Sequence, residues 1–314
     1  DSGFNLITET VGKKATTYTE YAVSSDGTVS KKGTKLTSLK LVGEEVNYSA
    51  DLNQDDQVGL LPAGSRTDNG TGEAAIYEIA GVGHGILPSG ATYLTPLADA
   101  KGNAWSGSAI GVNATDSGYT MVLETVGKKA TTYSEIAVST DGTVAKKGAK
   151  LDNLGLVKLE STYGADFNED TVIGLKSAEA RIDYGTGETA IYEISGAGYG
   201  IAVDGAETLT ALTTSKGTSW EVAKPIAIKL SESGVGYSMV TEKVGKKSST
   251  FTEYEVSSTG SVSKKGSKIK EDDLSTYEAS YNADINKDGE ITGAPTETIA
   301  GTVVKGPLEG AVVF

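Results

Sequence analysis

The pattern Asp-x-Asn-x-Asp occurs three times, beginning at Asp51, Asp166 and Asp284. Each copy lies 39 residues after the glycine of a Val-Gly-Lys-Lys motif, at Gly12, Gly127 and Gly245. A chain held to that register is constrained to fold as an array of like units that reuse one set of contacts. The residues between align as well. Turns fall at Ser25-Asp26-Gly27, Thr140-Asp141-Gly142 and Ser258-Thr259-Gly260, followed by Lys31-Lys32-Gly33, Lys146-Lys147-Gly148 and Lys264-Lys265-Gly266. A shorter block sits between successive long ones: residues 72–79 and 187–194, leading to Trp105 and Trp220. The order long, short, long, short, long predicts a partial first module over 1–62, complete modules over 63–177 and 178–294, and a linker with the first strand of a further domain over 295–314. On this reading the chain is a piece of a larger protein.

The local pattern is mostly strand. Residues 118–123 and 133–138 alternate or run apolar, are rich in β-branched and aromatic residues, and flank the Gly127-Lys128-Lys129 turn, which predicts a hairpin. The Asp-Gly pairs at 26–27 and 141–142 predict tight turns with positive φ at both central residues, and a further strand at Thr28-Val29 and Thr143-Val144. Helical character is confined to the stretch before each Asp loop, as in 154–163 and 273–281. There a Glu recurs six residues before the loop (Glu45, Glu160, Glu278) and a Tyr three before it (Tyr48, Tyr163, Tyr281). The predicted fold is mainly β: tandem antiparallel meander modules, each with one short helix leading into a calcium-type loop.

Calcium takes six to eight oxygens, and a tight loop supplies them from side chains at positions 1, 3 and 5 and a carbonyl at 7, with Gly at 6 for the bend. The third copy matches best, with Asp284, Asn286, Asp288, Gly289 and Glu290, and Ile291 as the apolar anchor. The first offers Asp51, Asn53, Asp55 and Gln57, with Asp56 in place of Gly. The second offers Asp166, Asn168, Asp170 and Val172, with Thr171 in place of Gly and Ile173 as the anchor. Position 12 holds Pro62, Ser177 and Pro295, so a bidentate ligand must come from Glu45, Glu160 and Glu278, or from Glu179 and Glu297 downstream. The same loops are equally readable as capped turns in which Asp and Asn bond their own backbone.

Charge and composition narrow the class. Forty glycines with 38% hydrophobic residues indicate many turns and thin sheets. The absence of cysteine removes disulfides and thiolate metal sites. The net charge of −14 argues against nucleic acid, whose phosphates demand a basic surface, and suits carboxylates that a cation neutralises. No apolar run approaches the ~20 residues that span a bilayer. Together these features predict an exported or cell-surface protein without a membrane span.

The series Trp220, 225–227, Gly236-Tyr237, 251–256, 258–260, Glu278 and 284–291 resembles the tryptophan-rich tandem repeat of large secreted bacterial haemolysin-type calcium-binding proteins, best known from cyanobacteria. Residues 105–174 match equally well, and residues 3–59 match without the leading Trp. The family's second Trp is replaced by Tyr21, Ile136 and Tyr254, and two loops lack the Gly. The resemblance implies an extracellular location and calcium at the closing loop, but no defined activity. Residues 301–311 resemble the opening strand of bacterial immunoglobulin-like domains.

Fifteen of the 28 Lys and Arg lie in the paired-lysine motifs and the Lys-Lys-Gly-x-Lys runs ending at Lys35, Lys150 and Lys268. They suit either hairpin lysines that guard sheet edges or a stripe for anionic polysaccharide. The glycines of 81–85 and 196–200 open no helix and are read as turns. His84 is the only histidine and its counterpart is Tyr199, so a Ser/His/Asp arrangement has one possible base and an enzyme is not expected. The expected function is therefore a structural or adhesive repeat of a surface layer, filament or stalk, stabilised by Ca2+ and associating with itself or other surface proteins. The alternative is a module that binds anionic cell-surface polysaccharide.

Overall fold

The computed structural model describes residues 3–176, 180–203, 206–246 and 248–292. It is mainly β: five small antiparallel sheets and three helices, laid down in chain order. The first sheet comprises β1 (Phe4–Val11), β2 (Thr16–Val23) and β3 (Thr34–Leu36), followed by helix α1 (Ser38–Tyr48). A second three-stranded sheet holds β4 (Ala75–Ile79), β5 (Gly83–Leu87) and β6 (Thr95–Pro96). Next comes a four-stranded sheet of β7 (Ala109–Thr115), β8 (Gly118–Val126), β9 (Thr131–Ser139) and β10 (Ala149–Leu151), then helix α2 (Asn153–Tyr163).

The same order recurs once more. It runs β11 (Thr189–Ile194), β12 (Gly198–Val203) and β13 (Thr210–Ala211), then β14 (Lys224–Leu230), β15 (Tyr237–Val244), β16 (Ser249–Val256) and β17 (Ser267–Ile269). A short 3-10 turn at Glu271–Asp273 leads into helix α3 (Leu274–Tyr281). No helix among the described residues is long and apolar enough to cross a membrane.

Matching registers carry the equivalence of the copies. Leu6 pairs with Tyr21, Met121 with Ile136 and Met239 with Tyr254. The helices start because Thr37 and Asp152 accept the N–H of Lys40 and Gly155, and they stop at the left-handed residues Ser49, Gly164 and Asn282.

Packing follows chain order like a stack of layers. The sheet of β4–β6 lays Ile76, Ile86 and Leu97 on Val112, Met121, Ile136, Val138 and Val144 of the four-stranded sheet. The opposite face of that sheet packs Val122 on Leu156, Tyr163, Ala165 and Phe167, the last two from the loop after α2. The other side of α2, with Leu154 and Val157, meets Ile194, Ala202 and Leu209 of the next short sheet. Ile191, Ile201, Leu212 and Trp220 then pack on Ile228, Met239, Val256 and Val262. Each such residue removed from water contributes roughly 1.5–3 kcal/mol, so apolar contacts join neighbouring layers all along the chain. The contacts of α1 with β4–β6 and of α2 with β11–β13 cross the sequence boundaries at 62/63 and 177/178.

Three sequence expectations need correction. Thr28-Val29 and Thr143-Val144 supply only isolated bridges, Val23 to Val29 and Val138 to Val144, and the strands that complete the sheets lie further on at β3 and β10. Only Gly27 and Gly142 take positive φ there. Asp26 and Asp141 instead accept the N–H of Thr28 and Thr143, which closes a wider turn. In the glycine runs, Gly81 and Gly196 do turn the chain, but Gly83–Leu87 and Gly198–Val203 are strands. Gly85 is required because a Cβ there would sit 2.8 Å from the Leu94 Cβ of the neighbouring segment.

Candidate metal-binding loops

Each Asp loop is held from beneath by the recurrent glutamate. Glu45, Glu160 and Glu278 are all 0% exposed. Glu45 Oε1 accepts the N–H of Leu52 and Asn53, and its Oε2 that of Gly59 at 2.8 Å. Glu160 does the same with Phe167, Asn168 and Gly174, and Glu278 with Asn286 and Thr292. Burial pushes the Glu160 carboxyl up from its ordinary pKa, and the three N–H donors partly offset this. The glutamates thus close the loop from helix side to exit, and their oxygens face backbone donors.

Above them the loops share one backbone. Positive φ occurs at the fourth and sixth positions of each: Gln54 and Asp56, Glu169 and Thr171, Lys287 and Gly289. The first Asp accepts N–H groups from positions 5 and 6, as in Asp51 with Asp55 and Asp56, Asp166 with Asp170 and Thr171, and Asp284 with Asp288 and Gly289. Asn53, Asn168 and Asn286 accept the N–H two residues on and donate their amide to the following Asp. Asp55, Asp170 and Asp288 accept from Gln57, Val172 and Glu290. A threonine held at φ +72° costs on the order of 1 kcal/mol. The second loop therefore keeps the glycine-type bend without the glycine.

Of the two expected apolar anchors, Ile291 is half-buried and Ile173 is misplaced by the sequence reading. Ile173 is exposed, at 41%. The side chain that enters the core comes from position 2: Phe167 and Ile285 are buried and Leu52 is half-buried. Phe167 packs with Val122 of β8 and Ile285 with Val240 of β15. Glu179, Ser177, Pro295, Glu297 and the segment 295–314 lie outside the described residues.

Two further features hold the loops in place. The chain segment just before each short sheet crosses to the helix end. Thr71 donates its N–H and hydroxyl to the Gly164 carbonyl at 3.2 and 3.0 Å, and Thr186 does so to Asn282. In the third loop Lys287 pairs with Glu242 of β15 at 2.8 Å and lies 5.3 Å over the Tyr184 ring. The hydrogen bond to Glu242 pushes the Lys287 pKa up. Burial works to raise the Glu242 carboxyl, but the bonds from Lys287 and Ser249 win and hold it below its ordinary value.

Sequence reasoning missed the anchor of that crossing segment. Arg66 forks onto Asp68 through Nε and Nη2, at 2.8 and 2.6 Å, and also reaches the carbonyls of Gly72 and Ala74. Arg181 and Asp183 repeat the arrangement. A signal existed: these are the only two arginines in a lysine-rich chain, and a planar fork is the one task lysine cannot perform.

Among the described residues no group of three or more His, Cys, Asp or Glu side chains forms a metal-sized cluster; positions 1, 3 and 5 of each loop are Asp, Asn and Asp. Outside the loops, an open cleft of about 760 Å³ is lined by Thr131, Tyr133, Lys150, Asp152, Lys216 and Glu221, so it carries both signs of charge. His84 borders a cavity of about 210 Å³ beside Trp105, and no Ser or Asp bonds its buried Nδ1. All the described lysines of the paired motifs are exposed; Lys247 lies outside the described residues. The chain matches no protein-family model, and no curated protein matches it.

Proposed function

We propose that this chain is a non-enzymatic structural or adhesive element of tandem β modules, working outside the cell, in which the three Asp loops bind Ca2+ and stiffen the junctions between modules. One observation carries the reading: three loops of different sequence share positive φ at positions 4 and 6 and aim the same Asp, Asn and Asp oxygens around one bend. The donor set fits a hard cation. Asp51, Asn53 and Asp55, Asp166, Asn168 and Asp170, and Asp284, Asn286 and Asp288 would hold it, with the carbonyls of Gln57, Val172 and Glu290. The glutamates serve as loop anchors in this reading, because they lie fully buried beneath the loops and tie each loop's start to its exit.

A bound cation would supply charge neutralisation to adjacent aspartates. With few carboxylate ligands per loop, affinity belongs in the ~10⁻⁴–10⁻³ M range of extracellular modules. Repetition is what argues against catalysis, since the acidic side chains that stand out recur in every copy as scaffold residues do. Melting of the chain in chelator and in millimolar calcium tests the reading. At tenfold excess over Kd each filled loop adds roughly 1.4 kcal/mol, enough to raise the midpoint by several degrees. Identical curves in the two buffers would sink it.

A further inference from the structure

The first sheet keeps the apolar side chains of its counterparts without their cover. At the positions of Met121, Val138 and Val144, which are 0%, 3% and 4% exposed, stand Leu6, Val23 and Val29, with Leu6 at 42% and Val29 at 44%. Phe4, at 69%, takes the place of the half-buried Tyr119 and Tyr237. The hairpin tips do not differ, since Val11, Val126 and Val244 are all 77% exposed, but the opposite face does: Ile7 is half-buried where Val122 and Val240 are buried. The edge differs too: among the described residues β8 and β15 each pair on both sides, whereas β1 pairs with β2 alone.

One polar group marks the same gap. The carbonyls of Gly164 and Asn282 each receive a threonine from the crossing segment, and among the described residues that of Ser49 receives none.

The molecule itself displays, twice, what fills this gap: a short sheet with its following strand, residues 66–115 or 181–230. Sequence continuity says how it arrives. In the second copy β7 enters β8 through a two-residue hairpin, with Thr115 paired to Gly118, and the residues Asp116-Ser117-Gly118 recur as Asp1-Ser2-Gly3. Gly3 also keeps the close approach of that corner. A Cβ on it would lie 2.5 Å from the Val23 carbonyl oxygen, against 2.3 Å for Gly118 over Val138 and 2.4 Å for Gly236 over Val256.

Resting on the repeat reading above, we infer that the open face of the first sheet and the free edge of β1 form a docking site for one more short-sheet block. This block is carried on the same polypeptide ahead of Gly3 and pairs a β7-type strand with β1. In the third unit the counterparts of Leu39 and Val42 of α1, and of Leu154 and Val157 of α2, are Asp272 of the 3-10 turn and Ser275 of α3.

The test joins residues 66–115 directly to Asp1 of the full chain and compares hydrogen exchange with the parent. The β1 amides that do not donate to β2 are expected to slow by at least about tenfold. A fusion whose added block carries Val112→Asp should lose the effect, and a fusion of residues 181–235 should restore it from the second template. Unchanged β1 exchange in both unaltered fusions overturns the inference. So does a parent chain that light scattering finds dimeric with β1 already protected, since a second copy would then be the occupant. Calcium plays no part in the readout, so failure of the metal reading leaves this result independent.

Discussion

The first and second four-element units differ less in their residues than in what lies on them. Leu6, Tyr21, Val23 and Val29 are as apolar as Met121, Ile136, Val138 and Val144, yet only the second set is dry, because only there does a short sheet lie across it. Burial in this molecule is therefore a property of neighbouring layers, and one sheet's sequence does not determine it.

The largest test of that contrast is truncation of the paired positions. Met121→Ala should cost about 3 kcal/mol or more in denaturant unfolding, and Leu6→Ala less than about 1 kcal/mol, since no cavity forms on an open face. Equal costs would mean that the first face is covered in solution. A smaller effect is expected at the tyrosines. Tyr163→Phe removes bonds to Thr120 and Glu135 and should cost about 1–2 kcal/mol, whereas Tyr48→Phe, which loses no partner, should be neutral or slightly stabilising.

The smallest effect concerns the pair of Glu242 and Lys287, which only the third unit has. A carboxyl held below its ordinary value of 4.5 contributes stability at higher pH and loses it as pH falls through its folded pKa. Melting midpoints of the parent should therefore drop more steeply than those of Glu242→Gln below about pH 4.5. Parallel slopes would count against the pair.

Much of the local structure was legible in the sequence. The hairpin of β8 and β9 and the helix over 153–163 follow from β-branched alternation and from the apolar spacing that Asp152 caps. Strands such as β3 and β10 did not, because three residues with two exposed side chains carry no periodic signal. In the loops, composition identified the Asp and Asn oxygens, but two apolar residues flank each bend and only packing decides which is buried. That is why Phe167 was overlooked in favour of Ile173. The glutamates raised a different difficulty. A carboxylate beside a metal-type loop reads as a ligand, and its bonds to the backbone N–H groups of Gly59 and Gly174 carry no sequence signal.

The bond from Thr71 to Gly164 spans 93 residues, and that from Thr186 to Asn282 spans 96. A ribosome adding about 5–20 residues per second leaves roughly 5–20 s between the appearance of the threonine and that of its acceptor. During synthesis the second and third units thus each pass through an interval in which the strap has emerged, the helix has not, and the sheet between them waits half-dressed.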